Sequence, residues 1–340
     1  VILVLRALGV GDLATGVPAL RALRAAYPGA ELALVAPRWL APLVELVGGV
    51  DRLVEADGLG HLGWSGPTVA LAVNLHGRGP QSHRRLAEVR PGRLLAFANA
   101  EAGHQDGPPW RADEHEVDRW CRLLAWYGIP ADRTDLALRR PAPGARPSGV
   151  SIVHPGAKAA ERRWPPARFA AVARELTARG HRVLVTGSPG ERGIAEEVAR
   201  GAALPPEAVL AGRTGLGELA ALVAHARLVL AGDTGIGHLA TAYGTPSVLL
   251  FGPVSPALWG PPPDRPWHQA LWAGPRPPGD GLHPALAELA VPAVLAAVDR
   301  VERAFPGAVG RLGPAARDGT DRPAPTGPVA RCGTPAATRR

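Results

Sequence analysis

Short, nearly continuous apolar runs alternate with helical periodicity through most of the chain. The first run, VILVLR at 1–6, lacks polar alternation, as in a strand buried on both faces of a parallel sheet. Leu13, Val17, Leu20 and Leu23 then recur at helical spacing over 13–26, ahead of Pro28-Gly29. ELALVAP (31–37) predicts a second strand and 39–47 a helix; DRLVEA (51–56) and VALAVNL (69–75) predict further strands. Over 113–127, Val117, Trp120, Leu123, Leu124 and Tyr127 share one helical face. RRPAPGARPSG (139–149) breaks the pattern and reads as a linker. The second half repeats the logic: strands at 149–155, 181–187, 226–233 and 245–252, with helices at 166–179, 190–200, 216–225 and 235–243. A Pro- and Trp-rich irregular stretch follows 253, and 284–304 predicts a last helix. From Pro306 the chain is rich in Pro, Gly, Ala and Arg without periodicity, so 306–340 is expected to be a disordered tail.

Strands separated by helices mean βαβ units and parallel sheets. The expectation is an α/β protein of two Rossmann-like domains, 1–138 and 150–305, joined by the 139–149 linker and facing across a cleft. In such sheets ligands sit beyond the carboxyl ends of the strands, so candidate chemistry belongs where strands end.

Composition changes this picture little. The 340 residues are 46% hydrophobic, which excludes global disorder. No apolar run approaches the roughly 18 residues of a membrane span. The N-terminus lacks a basic region and a small-residue cleavage site, and reads as a buried strand rather than a signal peptide. Two distant cysteines, Cys121 and Cys332, build neither a disulfide framework nor a zinc site, which makes a cytoplasmic protein the default expectation. Half of the net charge of +8 comes from 306–340. A single lysine, Lys158, stands against 37 arginines, a bias pointing to GC-rich coding rather than to selection for nucleic acid. The basic residues are scattered rather than interleaved with aromatics, so nucleic acid is not an expected partner. Weak contact with an anionic membrane surface stays open.

Four strand ends carry candidate chemistry. Gly9-Val10-Gly11-Asp12-Leu13-Ala14 has the G-x-G-x-x-A form of a dinucleotide fingerprint. The second strand ends Val35-Ala36-Pro37-Arg38, where an arginine suits a 2′-phosphate better than a ribose hydroxyl, so an NADP-dependent oxidoreductase is one alternative. A ligand-free glycine turn is another. In a third, Asp12 at a helix start is held ionised and takes a proton from a substrate hydroxyl. His154-Pro155-Gly156-Ala157-Lys158 with Arg162-Arg163-Trp164-Pro165 gathers three cations beside a glycine turn, which suits a phosphate or forms an exposed basic loop. The most specific segment is Gly232-Asp233-Thr234-Gly235-Ile236-Gly237-His238. A buried strand runs into a glycine-rich helix start whose free N–H groups favour a diphosphate, with Asp233 able to accept hydroxyls and His238 on the first turn. Asp233-Thr234 also reads as an N-cap pair. Asn74 to Ser82, with His76 and Arg78, is a polar glycine-rich loop at a fourth strand end. Asp113-Glu114-His115-Glu116 resembles a metal cluster, but acids in a first helical turn complement the helix dipole. D-x-D, H-E-x-x-H and Walker motifs do not occur, so no metal site or cofactor is expected.

Together these residues resemble glycosyltransferase family 9, the ADP-heptose:lipopolysaccharide heptosyltransferases and their relatives. The resemblance covers about 1–305 and rests on R-x-x-G-x-G-D-x-x-x-x-x-P (Arg6 to Pro18), HPGA…RRWP (154–165), TGSPGE (186–191) and GDTGIGHLATAYGTPSVLLFGP (232–253). It implies a GT-B fold with the acceptor on the first domain and the nucleotide-sugar on the second. It implies an inverting, metal-independent transfer to a glycan or glycolipid hydroxyl, from ADP-heptose or another nucleotide-sugar. Asp12 then matches the base. Gly11 and the strand-end loop residues His76, Arg78 and Ser82 are acceptor-side candidates by position, and nothing in those loops maps to a lipopolysaccharide core. Thr234 and Gly235 match the diphosphate turn; Asp233 and His238 match donor-contacting positions. Arg162 stands where many members carry lysine and, with Lys158 and Arg163, would face the leaving diphosphate; arginine keeps the charge but is not equivalent. The segment after FGP, GPPPDRPWHQALWAGPRPP, departs from the family's Cys-containing one, and the tail is unlike the family. A relative that binds nucleotide-sugar without catalysis is the non-enzyme alternative, which the presence of Asp12 disfavours.

Overall fold

The computed structural model describes residues 1–278 and 281–305; the expected tail at 306–340 lies outside them. The first half runs β1 (Ile2–Leu5), α1 (Val10–Ala26), β2 (Leu32–Ala36), α2 (Ala41–Val47), β3 (Arg52–Glu55), β4 (Leu71–Asn74), α3 (Gln81–Ala87), β5 (Arg93–Leu95) and α4 (Glu116–Trp126). The second runs β6 (Ser151–His154), α5 (Pro166–Ala178), β7 (Val183–Val185), α6 (Arg192–Gly201), α7 (Leu216–Ala224) and β8 (Leu228–Gly232). It continues with α8 (Gly235–Tyr243), β9 (Ser247–Leu250), α9 (Pro256–Trp259), β10 (His268–Leu271), α10 (Pro284–Ala287) and α11 (Val291–Ala304). No helix or strand occupies 139–149.

Both sheets are five-stranded and parallel, ordered β3-β2-β1-β4-β5 and β10-β9-β8-β6-β7. Their central strands are buried along their whole length, which is why they read as apolar runs without alternation. In the first sheet the chain winds outward from β1 through β3 and then reverses to β4 on β1's other side. In the second it goes from β6 to β7, then back to β8. Each reversal leaves a crevice beyond two neighbouring carboxyl ends, those of β1 and β4 and those of β6 and β8. Helix α1 packs against α8 and α2 against α7, so one apolar cluster runs from Val4 and Leu34 to Leu239 and Phe251. The expected GT-B architecture is thus present.

Several boundaries differ from the pattern reading. Helix α1 begins at Val10, with Gly9 as its N-cap, so Gly11 lies inside its first turn. The helix expected over 39–47 starts as a 3-10 turn, Arg38–Leu40. The helix expected over 113–127 starts at Glu116, and Asp113 and Glu114 precede it. The irregular stretch after 253 contains the edge strand β10, whose HQAL sequence is too short and polar to signal itself. The expected last helix is two: Pro292 offers no N–H to a preceding turn and instead opens α11.

Candidate active site

At the end of β1 the chain places an arginine inside the protein. The Arg6 side chain is wholly buried, so its donors need partners. It donates to the backbone carbonyls of Asp12 and Leu75, to Thr15 Oγ1 at 2.9 Å and to Glu116 Oε1 at 3.2 Å. These bonds tie the first turn of α1 to the end of β4 and the start of α4. Asp12 is the third residue of α1, and its Oδ2 accepts from Gly9 N–H at 3.0 Å, closing the helix start. Its Oδ1 stays 3.9 Å from Arg6 Nη2, beyond hydrogen-bond contact, and the side chain is 27% exposed. The carboxylate is therefore fixed by its helix and open to the cleft.

The start of α8 arrives from the other half. Thr234 is the N-cap, and neither it nor Asp233 caps the helix through its side chain. The N-cap pairing considered for Asp233-Thr234 is not formed, which leaves first-turn N–H groups facing the cleft. Asp233 instead meets Arg162 Nη1 at 3.3 Å; burial pushes its carboxyl up, and the guanidinium partly opposes this. Two glycines let α1 and α8 meet head to head. A Cβ on Gly11 would lie 2.8 Å from the His238 ring, and one on Gly235 would lie 2.7 Å from Val10 Cβ. His238 stands edge-on to Trp259 at 5.8 Å, and burial pulls its pKa down to about 4 against the attraction of Asp12. Its ring is neutral at pH 7.

A cleft of about 1210 Å³ brings together Gly11, Asp12, Lys158, Arg162, Asp233, Thr234, Gly235 and His238. Arg163 does not line it; its Nε holds the Ala157 carbonyl at 2.9 Å and braces the loop. His76 lies near enough to Arg6 and Asp12 for both charges to act on its ring, but burial is the larger cause of its lowered pKa. Arg78 is exposed, and Ser82 is buried in α3, accepting from Asn74 Nδ2 at 2.9 Å; neither lines the cleft.

The sequence model of glycosyltransferase family 9 (heptosyltransferase) matches residues 108–273. Lipopolysaccharide heptosyltransferase 3 of Escherichia coli is 34% identical over 128 residues, 36% of this chain and 36% of that protein, so the aligned stretch spans about a third of that relative. Lipooligosaccharide heptosyltransferase 2 of Haemophilus influenzae is 26% identical over 75% of this chain and 84% of its own length. The structure of E. coli ADP-heptose lipopolysaccharide heptosyltransferase II shares the fold, with a TM-score of 0.72 and 23% identity over 88% of this chain and 98% of that one. Over these residues the chain is similar to the glycosyltransferase family 9 heptosyltransferases.

The cleft also contains residues that motif reading left without a role. Glu191 accepts from Ser188 N–H at 2.7 Å and Ser188 Oγ at 2.8 Å. Burial works against its charge, yet those bonds win and hold its carboxyl below the usual range. Gly156 leaves room for it: a Cβ there would fall 2.2 Å from the carboxyl carbon and would push the carboxylate aside. His154 Nδ1 meets Thr186 Oγ1 at 2.9 Å. Trp39, an exposed tryptophan on the turn after β2, and Trp259 also line the cleft. TGSPGE carried the signal for Glu191; nothing local marks Trp39.

Within the acidic cluster at 113–116, Glu114 and Glu116 are committed to ion pairs. Glu114 binds Arg122 bidentately at 2.6 Å through both oxygens. Glu116 is not a solvated dipole complement but a buried partner of Arg6 and Arg119. Among the described residues no three His, Cys, Asp or Glu side chains are grouped to hold a metal ion. No described helix is long and apolar enough to cross a membrane. The dinucleotide reading meets a steric obstacle: His238 occupies the space over Gly11 that a pyrophosphate would need. Arg38, its 2′-phosphate partner, is exposed and 3.5 Å from Glu55.

Proposed function

We propose that this protein is an inverting, metal-independent glycosyltransferase that moves a sugar, heptose from ADP-heptose in the first instance, onto a hydroxyl of a glycan or glycolipid. The observation that carries the reading is the convergence of two opposite functions in one cleft: an open carboxylate from one half and an uncapped, cation-flanked helix start from the other. Asp12 takes the proton of the acceptor hydroxyl, whose oxygen attacks the anomeric carbon opposite the departing diphosphate. The α8 N–H groups at 234–235, with Arg162 and Lys158, meet the charge that develops on the leaving group. Asp233, freed from Arg162 as the diphosphate enters, accepts sugar or ribose hydroxyls. The named relatives support the donor; the acceptor is a proposal from the family resemblance alone, and peripheral contact with the cytoplasmic face of a membrane is a proposal from the excess of basic residues.

Release of ADP from ADP-heptose, with water as acceptor and EDTA present, tests this. Turnover should persist in EDTA and fall at least about 100-fold in Asp12→Ala, with ADP binding retained. Loss of turnover in EDTA removes metal independence, and an Asp12→Ala variant as active as the parent removes the base. If NADP(H) alone stabilises the protein against heat, the oxidoreductase reading replaces this one.

A further inference from the structure

Two carboxylates share the Arg6 guanidinium, unequally. Glu116 Oε1 is in hydrogen-bond contact at 3.2 Å, whereas Asp12 Oδ1 is held off at 3.9 Å. Glu116 is itself immobilised: its Oε1 also accepts from Trp120 Nε1 at 2.9 Å and its Oε2 from Arg119 Nη1. Arg119 is clamped by the carbonyls of Arg111 at 3.1 Å and Glu114 at 2.8 Å, and stacks on Trp110 at 4.4 Å. Arg6 lies 4.8 Å over the Trp120 ring. Two cations and one anion are therefore buried behind α1, and Asp12 is the second anion that balances them.

We propose that Glu116 is a positioning residue for Asp12: it takes the hydrogen-bond contact with Arg6, so the Asp12 carboxylate keeps only a long 3.9 Å ion pair with that guanidinium and stays free to accept a proton. This rests on Asp12 being the base. The arrangement explains why an arginine six residues before that acid does not quench it. It also gives the acidic cluster before α4 a purpose that its sequence conceals. With Glu116 neutral, both guanidinium groups would face Asp12 alone, and a carboxylate stabilised that way is a weaker base. The other titratable groups around Asp12 are His76 after β4, His115 before α4 and His238 on α8, with Arg162 across the cleft.

The test is a carbon-13 NMR titration of carboxyl-labelled aspartate in the full chain, with Asp12→Asn to identify the resonance. Glu116→Gln keeps the shape and one acceptor oxygen but removes the charge; the Asp12 midpoint should move to lower pH, by about 1–2 units for loss of one nearby charge at an effective dielectric near 20. ADP release should fall about 3- to 30-fold with its acid limb displaced the same way. Arg119→Gln removes a cation from the far side and should move the midpoint up. A merely structural role would not produce shifts of opposite sign. An unmoved midpoint in Glu116→Gln, or shifts of the same sign in both, overturns the proposal; if Glu116→Gln does not fold, an unmoved or lowered midpoint in Arg119→Gln does so alone. The base assignment fails separately: Asp12→Asn would then release ADP at the parent rate while the titration shifts remained.

Discussion

Gly11 shows how one missing atom sets the site. It lies in the first turn of α1, and an added Cβ would meet His238 Cδ2 at 2.8 Å, closer than real contacts allow. The ring is also packed edge-on against Trp259 at 5.8 Å. Gly11→Ala should cost about 1–3 kcal/mol and slow ADP release by moving α8 away from Asp12. Gly193 is the control: it sits near the start of α6 with nothing within 4 Å of an added Cβ. Gly193→Ala should be neutral or stabilising by up to about 1 kcal/mol. Urea unfolding of both variants measures the contrast, and equal stabilities would mean that the two helix starts are not held in contact. At this scale the sequence exposed most of the site, since Asp12, Asp233, Thr234, Gly235 and His238 each sit in a glycine-rich strand-to-helix segment. The Arg6–Glu116 pair stayed hidden because its members are 110 positions apart and nothing local to either marks the other.

Among the elements, legibility followed burial. Strands β1, β2, β8 and β9 are covered on both faces and announced themselves as apolar runs. Strand β5 has three residues, and β10 is an edge strand set among prolines and tryptophans, so neither had a pattern to read. Side-chain anchors decide where the loops between them lie. Trp164 is fully buried at the end of the 154–165 segment. Its Nε1 donates to the Leu289 carbonyl at 2.9 Å and its ring meets Phe169 edge-on at 5.0 Å. It thereby fastens the loop bearing Lys158 and Arg162 to the turn before α11. Trp164→Ala should lose about 3–5 kcal/mol and weaken ADP binding. Trp164→Phe should lose much less and keep the affinity. Urea unfolding and ADP calorimetry decide this; undiminished ADP affinity in Trp164→Ala would mean that the loop holds its place without the anchor.

For the whole molecule the decisive feature is that the two sheets share a core. The segment 139–149 reads as a linker but is fastened along its length. Arg139 N–H donates to the Leu46 carbonyl at 2.8 Å, Arg140 to the carbonyls of Ala224 and, at 2.5 Å, Tyr243, and Arg146 pairs with Glu218 at 2.7 Å. With α1 packed on α8 as well, the halves should unfold together, so a proton taken up in either one acts on both. Burial lowers the pKa of His76 and His83 in the first half and of His154, His181, His238 and His268 in the second, to about 4 for His238 and about 3 for His268. Above pH 6.5 these rings are neutral in both states, and their contribution is complete. As pH falls below 6.5 the unfolded chain takes up protons that the native rings refuse, and stability drops by up to about 1.4 kcal/mol per pH unit for each ring until its native value is passed. Asp233 opposes this weakly, because its raised carboxyl binds a proton earlier in the native state. The expected result is a single urea transition, coincident by tryptophan fluorescence and circular dichroism, whose midpoint falls steeply between pH 6.5 and 4. His268→Gln should flatten that fall, since Nε2 of His268 is buried without a partner and its ring resists charge to about pH 3. Two separated transitions, or a midpoint indifferent to pH over that range, would show that the halves hold their stability independently and that the shared core is too weak to couple them.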